Sequence, residues 1–223
     1  MPFKNRDEAA RQLAVKLSRY RGQHPLVLGI PRGAVPMARI MAEALDGDLD
    51  VVLVHKLRAR DQPELAIGAI DETGQSHLAE YATELDFDAS YIEFEKQTQL
   101  EELRRRRQMY TPVRPPIDPG GRIVIIVDDG IATGSSMLAA IRCIRARKPA
   151  TLIVATAVAP PHTVGRIAKE ADEVVCLETP EMFFAVGQFF HDFSQVSDDE
   201  VIAALAPRRA APHPSPAGSS PLR

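Results

Sequence analysis

The chain has 223 residues, 45% of them hydrophobic and 26% charged, with a formal net charge of −3. That length suffices for one α/β domain with a real core, or one domain with a small cap, and the near-neutral, slightly acidic balance argues against a nucleic-acid partner. Two cysteines without metal-type spacing, Cys143 and Cys176, together with no signal-peptide core and no window as apolar as a membrane span, predict a soluble cytoplasmic protein without disulfides.

Ala10, Leu13, Leu17 and Tyr20 recur at helical spacing and predict an opening helix that ends near Gly22. "PLVLGI" (25–30) reads as a short buried strand, "VPMARIMAEAL" (35–45) as a helix, and "DVVLVHKL" (50–57) as a second buried strand. Residues 58–80 give a polar loop and then a hairpin turning at "DETG". Ser90 with Glu93 makes a capping box for a charged helix running to about Tyr110, followed by a proline- and glycine-rich linker, so that 76–118 reads as an insertion with its linker. "RIVIIV" (122–127) is the next strand, and Met137, Ile141 and Ile144 stripe the helix behind it. "ATLIVATAVA" (150–159), a helix near 162–171, "EVVCLET" (173–179) and a helix near 197–206 complete the series. Continuous apolar strands alternating with helices predict a parallel sheet covered on both faces. One domain over 1–206 is expected, with a disordered proline-rich tail over 207–223.

In open parallel sheets the ligand crevice lies beyond the carboxyl ends of the strands. The stretch "VIIVDDGIATGSS" (124–136) ends there. Its small residues Gly130, Ala132, Gly134 and Ser135 let the backbone wrap closely with N–H groups turned inward, and Thr133 and Ser136 add hydroxyls. No lysine stands where a Walker loop requires one. Asp128 and Asp129, acceptor-only when ionised, suit the vicinal hydroxyls of a sugar or a bound Mg²⁺. A phosphate cradle beside a diol reader describes a ribose 5-phosphate site. The plain alternative, that the aspartates cap a helix, needs only one of them.

This stretch resembles the phosphoribosyl pyrophosphate (PRPP) signature of type I phosphoribosyltransferases, and the likeness extends over about residues 3–205, closest to a bacterial set of phosphoribosyltransferase-like proteins. The resemblance implies a type I phosphoribosyltransferase fold, a mainly parallel central sheet flanked by helices with a small hood, here 178–206. It implies that Asp128 and Asp129 hold the ribose 2- and 3-hydroxyls and Mg²⁺. Ala132, Thr133, Gly134, Ser135 and Ser136 would hold the 5-phosphate. In "GIPRGAVP" (29–36), Arg32 and Gly33 would hold pyrophosphate, beside a cis or strained peptide at Pro31–Arg32. "HKLRARDQPELAIG" (55–68) resembles the family's mobile catalytic loop, with Lys56 at its base neutralising the leaving group, Arg58 and Arg60 as lesser candidates and Glu64 as an acid with a general-base alternative. A Mg²⁺-dependent transferase acting on PRPP and a heterocyclic acceptor, as a homodimer, is the implied activity.

Ala132 stands where six-oxopurine members of the family carry an aspartate, which argues against a guanine or hypoxanthine enzyme and leaves the general base unassigned. "MFFAVGQFFHDF" (182–193) holds five of the eight phenylalanines and resembles the base clamp of purine members. In that reading Phe184 stacks on the base and His191 takes an acidic position; core packing of the rings and a structural histidine are the alternatives. "EELRRRRQM" (101–109) reads as a solvated helix face laced by Glu101–Arg105 and Glu102–Arg106 pairs, with a nucleic-acid patch as the sharper alternative. A different class remains open, a PRPP- or nucleotide-sensing regulator on the same fold, which would need no water-excluding lid over the site.

Overall fold

The computed structural model describes residues 2–60, 62–78 and 88–207, with side chains at 62–66 and 77 outside that description. In chain order the elements are α1 (Arg6–Lys16), β1 (Leu26–Gly29), α2 (Ala34–Ala44), β2 (Asp48–Val51), β3 (Val54–Ala59), β4 (Gln62–Asp71) and β5 (Ser76–Leu78). They continue with α3 (Ala89–Tyr110), β6 (Ile123–Asp128), α4 (Ser135–Ala146), β7 (Thr151–Val158), α5 (Pro161–Ile167), β8 (Glu173–Glu178) and α6 (Asp198–Leu205). Residues 208–223 of the expected tail, and 79–87 of the expected insertion, lie outside the described residues.

Five strands form one parallel sheet in the order β2-β1-β6-β7-β8. Alternation along the strands divides the core. Val27, Ile125 and Ile153 turn to the face covered by α1, α2 and α6, whereas Leu26, Leu28, Val124, Ile126, Leu152 and Val154 turn to α4 and α5. With both faces covered, an apolar residue is favoured at every strand position. The non-consecutive order places the β1 and β6 carboxyl ends side by side, with Gly29 opposite Val127, which is where a crevice opens.

The expected strand over 50–57 is two strands in two sheets. Val52 N–H still donates to the Gly29 carbonyl, but from Val54 onward the chain pairs antiparallel with β4, which in turn pairs with β5. This second sheet lies between α3 and α4. The change of partner is fixed by charge. Asp50, only 2% exposed, accepts from Arg107 Nη1 at 3.0 Å and from the backbone N–H of Val51 and Ile117 at 2.7 and 2.9 Å. Arg107 also pairs with Glu72 just beyond β4 and donates to the Val51 carbonyl at 3.3 Å. One guanidinium therefore stitches β2, the end of β4 and α3 together.

Arg107 belongs to the run expected to be solvated, so one arginine of that run is a buried tie. Of the expected pairs, Glu102–Arg106 is present, whereas Arg105 pairs with Glu102 rather than Glu101. The start of α3 is capped by Asp88, whose carboxylate accepts from Ser90 N–H at 2.9 Å and from Ser90 Oγ at 2.8 Å, so the acceptor is Asp88 and not Ser90. The "DETG" turn is as expected, with Asp71 Oδ1 accepting from Thr73 N–H, Thr73 Oγ1 and Gln75 N–H. α5 ends at Ile167, short of the expected 171, and closes in hydrogen-bonded turns. Both cysteines are free thiols. Among the described residues no helix is long and apolar enough to cross a membrane.

Candidate active site

β6 carries four fully buried residues, Val124 to Val127, directly into Asp128 and Asp129. Asp128 Oδ1 accepts from Asp129 N–H at 2.9 Å, which fixes the first carboxylate against the backbone. Asp129 Oδ2 accepts from Arg6 Nε at 2.7 Å. Burial, reinforced by the charge of Asp129, pushes the Asp128 carboxyl well above the ordinary carboxylate range. Burial also raises Asp129, with the Arg6 guanidinium opposing the rise. Two acids in one partly dry crevice with one cation form a site that favours a further positive or hydrogen-bond-donating ligand.

Two glycines show how closely the neighbouring segments approach. A Cβ on Gly33 would lie 2.3 Å from Asp129 Oδ2, and one on Gly130 would lie 2.3 Å from Val186 Cγ1. The loop after β1 and the C-terminal segment thus both rest on the Asp128–Gly130 turn. Pro31–Arg32 is a cis peptide, as expected. The Arg32 guanidinium faces Asp198 at the start of α6, 3.7 Å away, and Tyr110 donates to the same carboxylate at 3.1 Å. Burial, with the Asp198 charge, pushes the Tyr110 hydroxyl up to about 12.

Residues Ala132 to Ser136 follow the carboxylates around the corner into α4. Gly134 adopts φ 78° at the N-cap, a left-handed conformation that glycine accepts freely, and no side chain caps this helix. The first amides of α4 therefore remain available to an anion. Thr133 Oγ1 and Ser135 Oγ lie 3.2 Å apart at the same corner. From α5, Thr163 Oγ1 donates to the Ala132 carbonyl at 2.7 Å and Arg166 Nη1 to the Thr133 carbonyl at 3.2 Å, which holds the cradle in shape.

Among the described residues, no hydrogen bond or ion pair joins the remaining candidates to the carboxylates. Lys56 is in β3 opposite Ala69, on a strand of the antiparallel sheet, and makes no ion pair among the described residues. The segment expected as a loop is a bulged hairpin tied to α3. Glu95 accepts from Arg58 N–H at 3.1 Å, Tyr91 donates to the Arg58 carbonyl at 2.8 Å, and the Arg60 guanidinium lies 4.8 Å from the Tyr91 ring centre. The Glu64 side chain lies outside the described residues.

The phenylalanine cluster divides. Phe183 packs on Phe189, Phe190 stacks on Phe193, and Phe190 also meets Phe3, so four of the five rings are structural. Phe184 is 84% exposed, on a tight loop whose Phe184 and Ala185 N–H groups donate to Gln188 Oε1. His191 is exposed, and its backbone N–H donates to the Phe3 carbonyl at 2.8 Å.

Arg6, Phe193, Thr163 and Arg166 were not legible as site residues. Arg6 left one trace in the sequence. A cation in the first turn of a helix opposes the macrodipole, so an arginine immediately after the capping Asn5 is out of place unless an acid claims it.

This arrangement belongs to the phosphoribosyl transferases. The phosphoribosyl transferase domain family matches residues 3–194, and the chain is a member of that family. It is 45% identical over 204 residues to "Putative phosphoribosyl transferase Rv0571c" of Mycobacterium tuberculosis, an alignment covering 91% of this chain and 46% of that protein. The chain thus spans about half the length of the curated relatives it matches. Its structure is similar to the crystal structure of TT1426 from Thermus thermophilus, with a TM-score of 0.84, 43% identity, and coverage of 92% of this chain and 98% of that one.

Proposed function

We propose that this chain carries a Mg²⁺-dependent phosphoribosyltransferase site. It would move the 5-phosphoribosyl group of PRPP to a ring nitrogen of a nucleobase or related heterocycle, releasing pyrophosphate and inverting the configuration at C1. The observation that carries this reading is the pair Asp128 and Asp129, set one turn before the uncapped start of α4 and in contact with the Gly33 loop. A diol reader, a monophosphate cradle and a diphosphate loop meet there.

In this reading the carboxylates accept from the ribose hydroxyls while the amides at 132–136 and the hydroxyls of Thr133, Ser135 and Ser136 donate to the 5-phosphate. Breaking the anomeric C–O bond leaves positive charge on the ribose ring, which the two carboxylates stabilise electrostatically. Arg32 exchanges its exposed pairing with Asp198 for the departing pyrophosphate, whose two oxygens match its fork. Lys56 adds positive charge from the hairpin, and the exposed Phe184 ring offers a face to the acceptor. Among the described residues no three His, Cys, Asp or Glu side chains gather as a metal cage. Asp128 and Asp129 fit Mg²⁺ as an ion held mainly by substrate oxygens and water, and when bound it would neutralise the leaving group.

The test is pyrophosphate release from PRPP and Mg²⁺ with a panel of purine and pyrimidine bases, and with none. Base-dependent release is expected. The Asp128→Asn, Asp129→Asn double variant should lose on the order of 10²-fold or more in turnover while remaining folded; unchanged turnover would refute the assignment. The second reading, a PRPP-sensing regulator, draws on β3, which α3 holds at Arg58 where a lid would be free. Saturable PRPP binding without release from any base would favour it.

A further inference from the structure

We propose that Arg6 is a positioning residue of this site, fixing the Asp129 carboxylate and registering the C-terminal segment against it. The inference rests on the assignment of Asp129 to ribose. It goes beyond that assignment by adding a residue from the first turn of the chain's first helix, 123 positions away in sequence.

Three contacts converge on the one guanidinium, and the loop after β1 passes beside it. Nε donates to Asp129 Oδ2 at 2.7 Å, and Nη1 donates to the Ser194 carbonyl at 2.7 Å. The guanidinium carbon lies 3.9 Å from the centre of the Phe193 ring. Nη2 lies 3.3 Å from where a Gly33 Cβ would sit, so it faces the loop after β1. Both partners of the ion pair are largely buried, at 12% and 13% side-chain exposure. A surface ion pair wanders among rotamers; this one is held by a ring on one side and a carbonyl on another.

Arg6 is itself anchored. Phe3 bridges to Phe190, with Phe3 N–H donating to the Phe189 carbonyl at 2.7 Å and Asp192 N–H donating to the Lys4 carbonyl at 3.0 Å. The segment leading into α1 is thus paired to the same C-terminal stretch that supplies Phe193 and Ser194. Asn5 caps the helix by accepting from Glu8 N–H, which sets the direction in which Arg6 leaves it. A guanidinium is planar and presents its N–H groups in fixed directions, so docking on Phe193 and Ser194 dictates where Nε points. Asp129 Oδ2 is committed to that N–H, and the carboxylate plane is set before any ribose arrives. Lysine could supply the charge but neither the plane nor the fixed directions of the fork.

The experiment is a thermodynamic cycle on PRPP binding, measured by calorimetry with Mg²⁺ present, for the wild type, Arg6→Gln, Asp129→Asn and the double variant. Arg6→Gln is expected to weaken PRPP binding by roughly thirtyfold or more, the range for removing one partner of a buried charged pair. If Arg6 acts through Asp129, the double variant binds no more weakly than Asp129→Asn alone. A residue that only supports the fold would instead give losses that multiply. Arg6→Lys covers the case in which Arg6→Gln does not fold. It keeps the charge and should still bind about tenfold more weakly, because the fork is gone. Wild-type affinity in Arg6→Lys and Arg6→Gln, or multiplying losses in the cycle, would overturn the role of Arg6 and leave the ribose assignment standing. Failure of the wild type to bind PRPP would overturn that assignment and the role of Arg6 with it.

Discussion

The two sheets of this protein are built on different principles. The parallel sheet is held by burial on both faces: its central strands β1 and β6 are apolar from Leu26 to Leu28 and from Ile123 to Val127, and the carboxylates Asp128 and Asp129 sit at the end of β6. The antiparallel sheet is held at its seam by charge, with Arg107 bridging Asp50 and Glu72, and is fastened to α3 through Glu95 and Gln99. The first sheet supplies a rigid floor from which side chains can be aimed. The second is attached to that floor at points that single substitutions can release.

The largest effect should come from the seam itself. Arg107→Ala leaves Asp50, deeply buried, and Glu72 without their common cation, and breaking such a pair by removing one partner costs about 3–5 kcal/mol. Thermal and urea denaturation should both report the loss. Arg105→Ala should leave stability close to that of the wild type, since its pairing with Glu102 is at the surface. Equal effects at the two positions would mean that the seam does not join the sheets.

At the floor the sign reverses. Burial holds the Asp128 carboxyl well above its ordinary range, so between that range and its raised value the native chain binds a proton that the unfolded chain has released. Stability from this group is therefore full at low pH and is lost as pH rises through the raised value. Asp128→Asn removes the cost and keeps an oxygen for the Asp129 N–H. It should stabilise the protein at pH 8, while abolishing function, and the gain should vanish on acidification. A variant less stable than wild type at pH 8 would show that the carboxylate is not strained in the empty site.

The same contrast decides what could be read from sequence. Strands buried on both faces announce themselves as apolar runs, and a pair of carboxylates closing such a run marks a site because nothing in a core explains them. The break inside "DVVLVHKL" is hidden for the same reason, since the apolar run continues while the hydrogen-bonding partner changes at Val52 to Val54. Its cause, Asp50 meeting Arg107, joins residues 57 positions apart, and nothing in "RRRR" distinguishes the fourth arginine of the run from its neighbours. Of the phenylalanine cluster, composition marks the group but only packing separates the exposed Phe184 from four structural rings. Arg6 was legible solely as a cation on the wrong end of a helix.

A small, pH-dependent effect lies where the antiparallel sheet meets α3. His55 Nδ1 lies 2.7 Å from Gln99 Oε1, an arrangement that uses the Nδ1–H proton of a neutral ring. Burial lowers the pKa of His55 below its ordinary value, the bond to Gln99 opposes this, and the nearby Arg106 and Arg58 lower it further against the pull of Glu102. The unfolded chain therefore takes up a proton on this ring before the native chain does, and stability falls as pH drops below about 6.5. The loss should be confined to the window between the ordinary and lowered values. His55→Gln should flatten the stability profile across that window. Hydrogen exchange at β3 and the facing turns of α3 should speed up on acidification before that of β6 and β7. If β6 and β7 exchanged in step with them, the two sheets would open as one unit, and the contrast drawn between a rigid floor and a detachable second sheet would fail.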